Sequence, residues 1–191
     1  MAVHGKPDEA PEEFLDVSAR LRSTPMRPEI VIDTMPAPKR IAPYAVALSA
    51  EALSDGEELA TGRFVVLHDP SAPEAWAGTY RIVTFVRAEL EPEVGSDPML
   101  GQVGWSWLED ALTAGQAEYT AAGGTVTRVV SESFGALAER GSTAEIEVRA
   151  SWTPLGDPVI HLQAWGNLLC TVAGLPPLPA GVTALPRRRQ G

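Results

Sequence analysis

The sequence contains a single cysteine, Cys170, which excludes an intramolecular disulfide and a zinc site built from several cysteines. Its three histidines, His4, His68 and His161, lie on different segments, so no three-histidine metal site is visible. No apolar run approaches the ~18 residues of a membrane-spanning helix, and the N-terminal residues lack the basic and apolar regions of a signal peptide. These absences favour a cytoplasmic protein that acts without a metal or another cofactor and does not enter a membrane.

Common catalytic and nucleotide-binding motifs are also missing. The chain has neither a Gly-x-x-x-x-Gly-Lys-Ser/Thr loop nor a Gly-x-Gly-x-x-Gly turn, and Ser106 lacks the flanking glycines of a nucleophile elbow. Glu89 and Glu91 share one face of a predicted strand, where a solvated strand end explains them better than a glycosidase-like carboxylate pair. No residue is therefore assigned a catalytic role, and an enzyme is the less favoured class.

Positive charge is scarce and unevenly placed. The formal net charge is −10, and Arg187, Arg188 and Arg189 form the one basic run, so the rest of the chain carries −13. A body this acidic should repel phosphate backbones. The three arginines fit a solvated, disordered tail, or a weak and salt-sensitive contact with RNA or an acidic partner.

Hydrophobic periodicity predicts an α+β fold. Apolar spacing and end signals predict helices over residues 8–22, from about 98 onwards and over 158–173. Alternation predicts strands over 44–52, 62–69, 78–91, 124–134 and 143–153, with a further short strand over 28–34. The order is helix, three strands, helix, two strands, helix, which favours an antiparallel sheet of about five strands with three helices packed against it.

The same patterns divide the chain into three parts. Residues 1–43 comprise the first helix and a proline-rich connector, 44–179 form the single α+β domain, and 180–191 form the basic tail. The connector allows the first helix to lie against its own body or to reach a neighbouring chain. A homodimer is thus left open.

One candidate polar pocket involves His68, which lies where a predicted strand runs into a turn. Arg81 and Arg87 on the next strand are its candidate partners. The second face of that strand mixes charged and apolar residues, so it is partly covered or presented to a ligand. Turn formation by Asp69-Pro70 explains the local sequence equally well.

The five tryptophans suggest another kind of site. Trp105 and Trp107 are ~200° apart around their helix, so either one of them is an exposed anchor for a partner or the helix is packed on two sides. Trp105 and Trp76 are the candidate anchors. On the last helix, Cys170 and His161 face opposite sides, which predicts a core cysteine and a packed histidine rather than a catalytic pair.

Several segments resemble an uncharacterised actinobacterial family known as domain of unknown function three thousand. They are FVVLHDP, EAWAGTYRIVTFVRAELEPE, DPMLGQVGWSWLEDAL, GTVTRVVSESFG, EIEVRASWTP and HLQAWGNLLCTVAGLPPLP, within residues 60–179. The resemblance carries over no activity and no catalytic residue, and it implies an association with a ribonuclease D-like enzyme. The element order is in addition similar to that of type III secretion chaperones, which would imply a dimer that binds extended segments of other proteins.

Three hypotheses follow from these observations. The first is a non-enzymatic cytoplasmic binding or adaptor protein that recognises a protein partner through an apolar surface. The second is an accessory factor in RNA processing, associated with a ribonuclease D-like enzyme and contacting RNA or a nuclease through Arg187–Arg189. The third is a small-molecule enzyme with a concave polar site near His68.

Overall fold

The computed structural model describes residues 3–4 and 10–177, and within them seven strands form one antiparallel sheet. The strands are β1 (Val3–His4), β2 (Ile30–Met35), β3 (Tyr44–Ser54), β4 (Glu57–His68), β5 (Tyr80–Leu90), β6 (Tyr119–Glu132) and β7 (Ser142–Pro154). The sheet order is β1-β3-β4-β5-β7-β6, and β2 pairs with the same side of β3 as β1, further along that strand. Strand β6 is therefore the far edge of the sheet.

The helices are α1 (Glu12–Ser23), α2 (Pro92–Gly95), α3 (Leu100–Ala114) and α4 (Pro158–Val172), with short 3₁₀ turns at Glu74–Trp76 and Gly135–Arg140. The α+β class predicted from the sequence is confirmed. Within the described residues no helix is long and apolar enough to cross a membrane.

The core lies between one face of the sheet and the helices. Alternate strand residues such as Val46, Phe64, Ile82 and Trp152 are buried against this layer. Helix α4 is apolar almost all round because it packs against α1, α3, β4 and β5 together. The opposite face of the sheet carries no helix among the described residues, and it is called the open face below.

Local sequence explains why these elements form. The Asp157 side chain accepts a hydrogen bond from the Val159 N–H (3.1 Å) and so caps α4, with Pro158 at the first helical position. Asp55 and Gly56 both have positive φ (51° and 84°), which makes the two-residue hairpin turn between β3 and β4. Strand β4 therefore begins at Glu57, earlier than the predicted residue 62.

The N-terminal helix packs in cis. Phe14 and Leu21 of α1 are fully buried in the common core, and β2 pairs with β3 over six residues. Residues 12–35 therefore belong to the same body as residues 44–172, and the proline-containing segment 36–43 links two strands of one sheet. The predicted tail, 180–191, lies outside the described residues.

Candidate functional site on the open face of the sheet

Strand register brings charged and apolar side chains together on the open face. The central row across β3, β4, β5, β7 and β6 is Ser49, Arg63, Phe85, Arg149 and Thr125. Strands lie ~4.8 Å apart, so this row spans ~19 Å. The row on one side contains Val65 and Val83, and the row on the other contains Arg87 and Glu147.

These rows line a wide, shallow pocket of about 880 Å³ that is largely open to solvent. A volume of this size is in the range of ligand-binding sites, and the floor is a regular sheet, which holds side chains more rigidly than loops do. Val83 and Phe85 supply apolar surface, and Arg63, Arg87 and Arg149 supply positive charge. The pocket can therefore accept a group that combines a carboxylate with an apolar side chain.

The three arginines differ in how far their charge is already neutralised. Arg87 donates two hydrogen bonds to Glu145 (2.5 and 3.0 Å), and this contact raises the Arg87 pKa above its ordinary value. Arg149 lies 2.6 Å from Glu147, and its guanidinium carbon stands 5.1 Å from the centre of the Phe85 ring. Arg63 is exposed and has no ion pair or side-chain hydrogen bond within the part of the chain that the structure describes. Arg63 is thus the cation best placed to receive an anionic group.

Arg81 lies at one end of the open face, where it has a structural role. It donates to the Ala121 carbonyl (2.8 Å) and to the Ser151 hydroxyl (2.7 Å), and burial lowers its pKa. The Thr153 hydroxyl next to it donates to the Trp76 carbonyl. These bonds fasten the loop that carries Trp76 against one end of the open face, where the Trp76 side chain is half-buried.

His68 lies on the opposite face of the sheet from both arginines. Only 4% of its surface is exposed, and its ring stacks against Phe14 and Tyr80 with centroid separations of 5.7 and 4.3 Å. Burial lowers the His68 pKa. Arg81 and Arg87 are six residues apart on β5, which is ~20 Å along the strand. The three side chains therefore do not line one pocket, because alternation along β4 and β5 places the histidine among the helices.

Trp105, the other candidate anchor, is half-buried at the β6 edge. Its ring N–H donates to Glu109 (3.0 Å), and its ring packs close to Gly124 of β6, where any side chain would collide with it. Trp107 is also half-buried and packs against the core. Helix α3 contacts both α4 and β6, which agrees with the alternative that the helix is packed on two sides.

The last helix is a core element, as the sequence predicts. Cys170 is buried, and desolvation raises its pKa to about 11, so the thiol is a packed group rather than a nucleophile. His161 is buried and accepts a hydrogen bond from the Trp152 ring N–H on its Nδ1 (3.0 Å). Among the described residues, His, Cys, Asp and Glu form no cluster of three suited to a metal ion.

Sequence reasoning found part of this site. The mixed face of β5 gave a signal through the alternation of Val83, Phe85 and Arg87. Arg63 and Arg149 were missed, because only the pairing of β4, β5 and β7 shows that they flank Phe85.

Comparison with known proteins identifies a matching family. A family model described as protein of unknown function (DUF3000) matches residues 10–183. No curated protein and no solved structure matches the chain significantly. The similarity to type III secretion chaperones thus stays a prediction from element order.

Proposed function

We propose that this chain, which belongs to the DUF3000 family of proteins of unknown function, is a non-enzymatic binding protein that recognises a protein partner through the open face of its sheet. The observation that carries the proposal is the pocket in which an unpaired Arg63 stands beside the exposed Val83 and the half-buried ring of Phe85. Its cytoplasmic location, favoured by the single cysteine, is part of the same proposal.

The chemistry of the pocket indicates the kind of segment that it binds. Arg63 offers a charge-assisted hydrogen bond to a carboxylate, and Phe85 beside it offers a flat apolar surface already covered on one side by Arg149. A chain with a net charge of −10 disfavours densely charged polyanions such as RNA. An extended peptide segment with a single acidic residue next to apolar ones fits both conditions.

Reversing the charge of Arg63 should strongly weaken partner binding. Tagged full-length protein is captured from cells of its source, and the amount of bound partner is compared with wild type. We expect R63E to retain less partner by a factor of about ten or more, because the charge-assisted hydrogen bond from Arg63 to the partner's carboxylate is replaced by repulsion between two carboxylates. The bound protein is identified and quantified by mass spectrometry. A photoreactive phenylalanine analogue at position 85 should cross-link to the same partner.

The matched control is R22E, which makes the same change of charge at an exposed position of α1. R22E should retain as much partner as wild type, and the photoreactive residue at the exposed Leu15 should not cross-link to it. Equal retention by wild type and R63E would assign the partner to another surface.

Removing residues 180–191, which include Arg187–Arg189, separates the binding function from RNA processing. We expect the truncated chain to retain its protein partner at the wild-type level, because the described residues that line the open-face pocket all lie within 49–151 and stay in place. Sequencing of co-purified RNA and quantification of the partner measure both properties. Loss of bound RNA or of a ribonuclease on truncation, with no partner bound to the pocket, would favour the RNA-processing hypothesis instead.

A further inference from the structure

Strand β6 is a long edge strand whose outer side pairs with no other strand among the described residues. It pairs only with β7 among the described residues, and nearly all of its residues are exposed. Edge strands in soluble proteins are commonly blunted by proline, lysine or a bulge. The sequence of β6 contains neither proline nor lysine, and its one bulge lies between Thr120 and Gly123, before the longer part of the strand.

Exposed apolar side chains cluster at the C-terminal half of this edge. Val129 and Val130 are 42% and 45% exposed, and Phe134 and Leu137, just beyond the strand, are 76% and 48% exposed. Beside them on the helix side lies a shallow, open groove of about 740 Å³, whose lining includes Gly95, Val126, Arg128, Val130 and Glu132. A strand added at this edge would form backbone hydrogen bonds with β6 and would cover these apolar side chains. Both effects would stabilise the added strand.

We propose that a second copy of this chain covers the edge, with β6 antiparallel to β6 around a two-fold axis at Val130. The charges of the strand select this register. Arg128 and Glu132 are its only charged residues and lie on the same face of the sheet. With Val130 opposite itself, each Arg128 stands opposite the other copy's Glu132, so the pair forms twice.

Neighbouring registers lack this complementarity. An axis at Arg128 places two arginines opposite each other, and an axis at Glu132 places two glutamates opposite each other, both of which are destabilising. The axis at Val130 also sets Phe134, whose backbone is extended, opposite Val126 of the other copy. Phe134 is thereby directed at the groove beside Val126 and Gly95.

This arrangement has a consequence for the whole assembly. A two-fold axis perpendicular to the sheet keeps the helices of both copies on the same side. The two open faces then join into one continuous surface. The inference is independent of what the open-face pocket binds.

Cysteine substitution tests the register directly. Full-length protein carrying V130C should form a disulfide-linked dimer on mild oxidation, because the two Cβ atoms stand directly opposite each other, while the native Cys170 is buried. In the matched variant E132C, the two cysteines are four residues apart along the strands, ~14 Å, and should not be linked. Cross-linking of E132C but not V130C would overturn the register.

Charge reversal tests the same pairing in solution by sedimentation velocity. Wild type should be a dimer, E132R should raise the dimer dissociation constant about tenfold, and R128E/E132R should restore it. Arg128 also donates a hydrogen bond to the Asp97 carbonyl, so R128E could affect folding. Circular dichroism checks that the double variant is folded. If the double variant is unfolded, E132R and V130C test the proposal without it. A monomer at concentrations of about 100 μM, or binding of another protein's extended segment to this edge, would overturn the proposal.

Discussion

Acidification from pH 7 to pH 4.5 should lower the free energy of unfolding by roughly 2–3 kcal/mol through His161 alone. Desolvation lowers the pKa of this buried histidine to about 4 in the folded protein, whereas an unfolded histidine titrates near about 6.5. Between these two values the unfolded chain binds the proton and the folded chain does not. The contribution of neutral His161 to the free energy of unfolding is therefore fully present above about pH 6.5 and is lost as the pH falls toward 4.

The hydrogen bond from Trp152 explains why His161 must stay neutral. The indole N–H donates to Nδ1 of His161, and a protonated imidazole has no acceptor to offer. Protonation would thus leave two buried donors facing each other in the core. This cost comes in addition to the burial of a charge.

The variant H161Q separates this group from the rest of the protein. The glutamine side chain still offers an oxygen to the Trp152 N–H but does not titrate. The free energies of unfolding of wild type and H161Q are measured by denaturant unfolding at several pH values from 7 to 4.5. On acidification, wild type should lose roughly 2–3 kcal/mol more than H161Q does. His68 is present in both proteins and cancels in the difference. Parallel pH profiles would contradict the assignment.

Replacement of Trp165 by alanine should lower the free energy of unfolding by about 3–5 kcal/mol. The side chain is fully buried in α4, and its ring centroid lies 5.5 Å from that of Phe64 on β4. Loss of an indole removes a large apolar contact and leaves a cavity between the helix and the sheet. Urea unfolding followed by circular dichroism measures the loss.

Gly62 shows how closely this tryptophan approaches the sheet. A Cβ at position 62 would lie 2.5 Å from the Trp165 ring, so G62A should destabilise the wild-type protein by about 1–3 kcal/mol. In the W165A background the same substitution should cost less, because the colliding ring is gone and only the contact with the Phe85 carbonyl oxygen (2.9 Å) remains. Additive effects of the two changes would show that the close approach does not limit position 62.

The variant W165F is the conservative control. The Trp165 ring N–H is buried and has no hydrogen-bond partner within the described part of the chain, so its removal takes away no native hydrogen bond. Phenylalanine also fills most of the indole volume. W165F should therefore retain more stability than W165A.

The prediction of the helices succeeded where the signals were local. The last helix was predicted over residues 158–173 and is observed over Pro158–Val172, because Asp157, Pro158 and the apolar spacing act within a few residues. The central helix begins at Leu100 rather than Pro98, since the Asp97 side chain instead accepts a hydrogen bond from the Met99 N–H (2.8 Å) and forms a turn before the helix.

Strand boundaries were predicted less well. Asp55-Gly56 is a strong hairpin signal, but the sequence pattern predicts a loop for the charged residues that follow it, whereas β4 begins at Glu57. Strand β6 begins at Tyr119, earlier than the predicted residue 124. In both cases the pairing with a neighbouring strand holds residues of low strand propensity in an extended conformation.

The sequence was enough to predict the α+β class, the burial of Cys170 and His161 in one apolar helix, and the mixed face of β5. These features depend on composition and on periodicities of two and 3.6 residues, which act over short distances along the chain. The three-dimensional structure was needed to show that His68 lies among the helices, that Arg63 and Arg149 flank Phe85, and that β6 pairs with no second neighbour among the described strands. The reason is strand register and sheet order, which are set by contacts between residues far apart in sequence.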